Sequence, residues 1–233
     1  MHYLKKLAGQ TAIYGLSSVV PRLLNYFLVP LYTRVFLPEE YGIVTEMYAY
    51  IGFLLVFLTF GMETGYFRFA GKEKDDRTVY STAFYSLLTT STIFIVIISL
   101  FAKHIVNALG YSNNPEYLIL ISVIVGLDAF CAIPFARLRL QNKALTFSVI
   151  KIISVLVNVL LNLFFLTILP KYSFFNEYFP GAQNLGITYV FISNVISSVV
   201  TTLLLLFFVN GFPPFLKFEK LKPLIIYSLP LDR

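Results

Sequence analysis

Residues 146–169 read TFSVIKIISVLVNVLLNLFFLTIL, and this stretch decides the fold. Its one ionisable side chain is Lys151. A helix of this length rises about 36 Å, enough to cross a hydrocarbon core of about 30 Å. A strand reading fails because polar and apolar residues do not alternate, and the run is more than twice the roughly 9–11 residues of a barrel strand. In lipid, a helix is the structure that satisfies its own backbone.

Five further runs of the same kind lie at roughly 9–36, 42–67, 79–102, 117–136 and 185–209. The whole chain is 58% hydrophobic and 13% charged over 233 residues, with a mean hydropathy of +0.77. Soluble chains carry about 25% charge, so a cytosolic enzyme, a nucleic-acid reader and a disordered chain are all excluded. At about 35 residues per span with its connection, the length accommodates six to seven crossings. The fold class is therefore an all-α polytopic membrane helix bundle: six transmembrane helices and, from Leu221, the start of a seventh. Residues 1–215 form a six-helix lobe, and 216–233 hold a cytoplasmic connection followed by helix 7, begun at Tyr227-Ser228-Leu229-Pro230-Leu231 and interrupted there. A chain stopping inside a span leaves backbone carbonyls unsatisfied, so the sequence is expected to be the N-terminal part of a longer protein.

Charge sets the orientation. Alternate connections, counted from the N-terminus, hold Lys5 and Lys6; Arg68, Lys72, Lys74 and Arg77; Arg137, Arg139 and Lys143; and Lys217, Lys220 and Lys222. The opposite set holds Arg34, Lys103 and Lys171. Twelve against three places the N-terminus in the cytoplasm by the positive-inside rule. The formal charge of +6 thus reflects topology and no nucleic-acid partner. The first run is too long for the apolar core of a signal peptide. Cys131 is the single cysteine, and His2 and His104 are isolated, so neither a disulfide nor a metal site is expected.

Ionisable groups inside a span cost about 2.5–3.5 kcal/mol at the centre and so face a cavity or a partner. Arg22 shares a helical stripe with Thr11, Tyr14, Ser18 and Asn25, which reads as a wet, cationic cavity face; Asp128 in the fourth run is a candidate partner for Arg22. Lys151, Ser154, Asn158 and Asn162 repeat the pattern in the fifth run, as cavity lining or helix packing, with Lys151 also able to snorkel. Asn194, Ser197, Ser198 and Thr201 form a stripe that reads as helix packing. Glu46 and Glu63 stand toward opposite ends of the second run, and Glu63 is expected to pair with Arg68 or Arg137. Asp128, Glu46 and Glu63 are the ion-coupling or charge-pair candidates. Arg137 and Arg139 read first as topology determinants. Pro21, Pro30 and Pro134 are expected to kink their helices. No constellation for nucleophilic or acid–base catalysis is present, so neither an enzyme nor a cofactor is expected.

Four segments resemble the polysaccharide-export (O-antigen, lipid-linked oligosaccharide) flippases of the multidrug/oligosaccharidyl-lipid/polysaccharide exporter superfamily. They are Gln10–Gly15 with Pro21-Arg22, Pro30–Arg34 and Pro38–Gly42; Phe60–Phe69; Ile133–Arg139 with Lys143, Lys151 and Asn158–Asn162; and Asn184–Ile187 through Asn194, with Tyr227–Leu231 opening the next helix. The resemblance implies a 12- to 14-helix transporter of two facing lobes, this chain supplying the N-terminal one and the missing C-terminal lobe its partner. It also implies passage of an undecaprenyl-pyrophosphate-linked oligosaccharide from the cytoplasmic to the outer leaflet of the bacterial inner membrane by alternating access. Arg22, Lys151, Asn25 and Asn158 are the residues expected to face that anion; the other partner is the bilayer itself. Two alternatives stand beside it: a drug or cation antiporter of the same superfamily, which needs acids in the cavity, and a non-catalytic subunit of a membrane glycosyl- or acyltransferase.

Overall fold

The computed structural model describes residues 15–16, 19–70, 76–109, 114–171 and 186–209. Among them every regular element is helical. We number them α1 (19–26), α2 (Leu28–Val35), α3 (Pro38–Thr59), α4 (Met62–Ala70), α5 (Asp76–Leu109), α6 (Pro115–Leu140), α7 (Ala144–Leu163) and α8 (Thr188–Phe208). A π-helical turn, Phe164–Ile168, and a short 3-10 turn, Leu169–Lys171, extend α7. Five stretches are long and apolar enough to cross a membrane: Pro38–Ala70, Arg77–Ala108, Pro115–Leu140, Ala144–Lys171 and Thr188–Phe208. They coincide with the second to sixth runs of the sequence. The first run is described only in part, and Thr11, Tyr14, Ser18 and the expected seventh helix lie outside the described residues.

Local chemistry sets the helix ends. α3 opens with Pro38 at its first position and Glu39 and Glu40 in its first turn, and the Leu37 amide donates to Glu40 Oε2 at 2.9 Å. This satisfies a donor that would otherwise be orphaned at the helix start. α6 closes in a Schellman motif: the Lys143 amide donates to the Leu138 carbonyl at 2.9 Å and the Asn142 amide to that of Arg139 at 3.0 Å. Asn142 sits at φ 55°, a left-handed position that asparagine tolerates well. Pro115 begins α6 and Arg137 and Arg139 end it, with acid and base placed to complement the helix dipole.

Two breaks interrupt runs that read as continuous. α1 and α2 part at Phe27, three residues ahead of Pro30, whose ring cannot pack against the carbonyl of Tyr26. The second run divides at Phe60 and Gly61, both at positive φ (49° and 63°), so that α4 is a separate nine-residue helix. α6 continues through Pro134 without interruption.

α6 is the axis of the bundle. It packs on α5 most extensively, and also on α8, α3 and α7. It is accordingly apolar over most of its surface, the exceptions being Asp128 in its middle and the charged residues near its ends. Where it meets α5, a Cβ on Gly126 would lie 2.5 Å from Ile95 Cδ1, so any side chain here requires Ile95 or the helices to shift. The peripheral helices turn apolar faces outward: Ile93, Val96, Ile97 and Leu100 on α5, and Leu145, Val149, Leu156 and Leu160 on α7, are exposed at helical spacing.

The two larger core clusters lie at the two ends of the bundle, beside a small third one of Ala102, Val106 and Leu118. One gathers Tyr32, Val44, Met47, Ile121 and Phe191; the other gathers Tyr66, Tyr80, Phe84, Ile133 and Ile150. Along α6 the first ends at Ala129 and the second starts at Phe130. Asp128 therefore stands at the level where they meet, and so do the polar stripes of α7 and α8. The basic residues Arg137 and Arg139 mark the second cluster as the basic end.

Candidate functional site

Between the two apolar clusters runs a polar seam built from α6, α7 and α8. Ser198 Oγ donates to Asp128 Oδ1 at 2.8 Å. Ser197 Oγ donates to the Ser154 carbonyl at 2.6 Å, and the two hydroxyls lie 3.0 Å apart. Toward the other end, Asn162 Nδ2 donates to the Asn158 carbonyl and side chain at 2.8 and 3.1 Å, while its oxygen accepts from the Tyr32 hydroxyl at 2.9 Å. Asn162 is fully buried, so these bonds tie α2 to α7. In a bilayer the polar stripe must find partners within the protein.

Two cavities open along this seam and share Asp128, Lys151, Ser154, Asn194 and Ser197. The one toward the basic end has a volume of about 400 Å3 and reaches Glu63, Arg139 and Phe147. The other, of about 520 Å3, reaches Asn25, Tyr32, Tyr41, Tyr48 and Asn158. Lys151 is half-buried at their junction, its ammonium 4.3 Å from the centre of the Phe135 ring. The ring face holds the cation while leaving its hydrogens free for a ligand. Asp128 lines both cavities with it. At the basic end Arg139 pairs with Glu63 and lies 5.5 Å from the rings of Phe67 and Phe147. The titratable lining thus comprises two basic and two acidic side chains, spaced along a path. Such a wall presents hydrogen-bond donors, acceptors and ionisable groups to the cavities. Among the described residues no cluster of His, Cys, Asp and Glu could hold a metal.

The sequence reading and the geometry meet at several positions and part at others. Asn25, Lys151, Asn158 and Asp128 all line the seam. Arg22 is exposed and lines neither cavity. Three residues apart on a helix means about 60° of arc, and of the stripe's two described residues Asn25 lines the cavity and Arg22 does not. Asp128 bonds to Ser198, on α8, and faces Lys151 across the cavity where Arg22 was the candidate partner. Glu46 is exposed and accepts from the Tyr50 hydroxyl at 2.7 Å, off the seam. Glu63 pairs with Arg139, where Arg68 or Arg137 was expected. Residues two apart on a helix point about 160° from each other, so α6 can offer Glu63 one arginine; Arg137 goes to the Tyr80 ring, 3.9 Å from its centre. The α8 stripe, read as packing, both packs and lines.

Tyr41, Thr45, Tyr48 and Thr59 on α3 also line the seam and were missed. Their spacing of four, three and eleven residues keeps them on one helix face, a signal obscured because tyrosine is counted among the hydrophobic residues.

A family model described as a polysaccharide biosynthesis protein matches residues 31–173. That is more than half of the 233 residues. The chain belongs to this polysaccharide biosynthesis protein family. It is a multi-pass membrane protein with a role in polysaccharide biosynthesis and export. No curated protein and no solved structure matches it. The family's matched stretch carries Asp128, Arg139, Lys151 and Asn158, while α8, with Ser197 and Ser198, lies beyond it.

Proposed function

We propose that the seam is one wall of a translocation path for a lipid-linked oligosaccharide. In this reading, an undecaprenyl-pyrophosphate-borne repeat unit passes from the cytoplasmic to the outer leaflet of the bacterial inner membrane. The protein works as a transporter and not as an enzyme. The N-terminus and the basic end face the cytoplasm, in keeping with the positive-inside bias. A second lobe closes the open side of the seam, and rocking of one lobe against the other exposes the path to each side in turn.

The observation that carries this reading is that two neighbouring cavities share Lys151 and four polar side chains in their lining. A diphosphate and its sugars cannot cross about 30 Å of hydrocarbon unaided. They need a hydrated track with positive charge along it, while the polyprenyl tail stays in lipid. Lys151 supplies charge at mid-seam, and the hydroxyls and amides of Ser154, Asn158, Asn194 and Tyr48 supply sugar-like hydrogen-bonding partners.

Lys151→Gln in the full-length protein tests it. Surface polysaccharide should fall by tenfold or more with the protein still inserted, and Lys151→Arg should retain most of it. Wild-type polysaccharide with Lys151→Gln would refute the role. Asp128 favours the second reading, a drug or cation antiporter, which predicts that Asp128→Asn abolishes resistance to a cationic dye while Lys151→Gln does not.

A further inference from the structure

We infer that the Arg139 guanidinium is the receptor on which the anionic head group is first loaded, and that Glu63 occupies it as a built-in substitute when no substrate is present. The inference rests on the proposed translocation reading and adds to it a loading site at the basic end.

Four observations converge. Arg139 and Glu63 both line the 400 Å3 cavity that leads on to Lys151. Each of their side chains is about one-third exposed (36% and 34%), so the ion pair faces the space a ligand would enter. The pair uses one terminal nitrogen of Arg139, and its Nε, though buried, has no hydrogen-bond partner. Glu63 therefore leaves one donor of the fork unsatisfied, and a turn of the guanidinium is what would bring it to a ligand. Finally, Phe67 and Phe147 lie near the guanidinium at 5.5 Å each, fixing its plane without consuming its N–H groups.

A pair built for stability alone would use the fork bidentately and shut out water. This one leaves the Arg139 Nε without a partner and stays about one-third exposed. A diphosphate presents several oxygens and more charge than a carboxylate, so it competes for the same fork with better geometry. Glu63 can yield because α4, which carries it, starts just after the left-handed Phe60–Gly61 break. An anion released from Arg139 then meets Lys151 as the next cation on the path.

The experiment is a titration of the purified full-length protein in lipid nanodiscs with inorganic pyrophosphate, followed by calorimetry at low salt. Removing the substitute should tighten binding: Glu63→Gln is expected to lower the Kd about fivefold, the factor by which a partly exposed ion pair reduces the free fraction of its arginine. Arg139→Gln should weaken binding at least tenfold, and Glu63→Gln should give no gain in its presence. Unfolding temperatures measured alongside separate a structural pair, which predicts loss of stability with unchanged affinity for Glu63→Gln. That result would overturn the inference, as would wild-type binding by Arg139→Gln. If Arg139→Gln fails to fold, the Glu63→Gln gain stands as the test by itself. Binding that depends on Lys151 but is indifferent to Glu63 and Arg139 would overturn this loading site and leave the translocation reading in place. Absence of pyrophosphate binding in wild type and every variant would overturn both.

Discussion

Replacing Gly126 with Ala should disrupt the α5–α6 interface. The added Cβ would stand 2.5 Å from Ile95 Cδ1 and 2.7 Å from Ile95 Cγ1. Ordinary carbon–carbon contact is about 3.5–4.0 Å, so roughly 1 Å must be found. Rotation of Ile95 about χ2 moves Cδ1 but leaves Cγ1 where it is. The side chain must therefore change χ1, at a cost of about 0.5–1.5 kcal/mol if it leaves its rotamer, or the helices must separate. Separation loosens the most extensive interface of the bundle. Overpacking of this kind typically costs about 1–3 kcal/mol, and that is the loss expected for Gly126→Ala in an SDS-titration unfolding assay from mixed micelles. Ile95→Ala removes both obstructing carbons, so the double variant should recover at least about 1 kcal/mol relative to additivity. A Gly126→Ala protein within about 0.5 kcal/mol of wild type, and additive with Ile95→Ala, would show that the approach at this point is not tight and refute the reasoning. The stake is functional as well: Asp128 is two residues along the same helix, and its 2.8 Å bond to Ser198 tolerates little displacement.

Two further substitutions probe the frame of the seam. Tyr32→Phe removes the hydroxyl that donates to Asn162 and leaves the amide oxygen of a fully buried side chain without that partner. By analogy with other hydrogen bonds between membrane helices, the same titration should read a loss of about 0.6 kcal/mol, with an upper bound near 1.7; an unchanged or increased stability would count against a tie between α2 and α7. Phe60→Gly should relieve a left-handed backbone that costs a side-chain-bearing residue about 1–2 kcal/mol, offset by about 0.5–1 kcal/mol of added chain entropy. Phe60 is exposed, so little packing is lost, and a rise in the unfolding midpoint is expected. A fall would mean that the ring, and not the backbone, governs this position.

Much of this architecture is legible in composition and periodicity. The lengths of the second to sixth runs locate the helices because the bilayer imposes the length, and steps of three and four residues identify the faces of α7 and α8 that share the seam. What periodicity leaves open is the rotation of one helix against another. Arg22 and Asn25 belong to one stripe, yet only Asn25 reaches the cavity. Arg137 and Arg139 are equivalent in a charge count, yet the rotation of α6 gives one to Tyr80 and the other to Glu63. The break at Phe60–Gly61 carried a local signal, since a glycine just past an apolar helix is a common stop. That same glycine, with Gly65, also forms the small-residue spacing that marks close helix approach, and the two readings compete. The π turn at Phe164–Ile168 has no such marker: four of its five residues are apolar, and its one ring stack on α8 is Phe165 on Tyr189 at 4.7 Å.

The length of α5 has a mechanical consequence. Its 34 residues make a rod of about 51 Å, well beyond a hydrocarbon slab of about 30 Å. The root of that rod is gripped on every side, with Val79, Tyr80, Ala83, Phe84 and Leu87 sealed from solvent, whereas its tip is held by little more than Ala102 and Val106 against Leu118. Stiffness is therefore graded along one continuous helix. The rocking proposed above would turn about the clamped basic end and give the lightly held tip the widest arc.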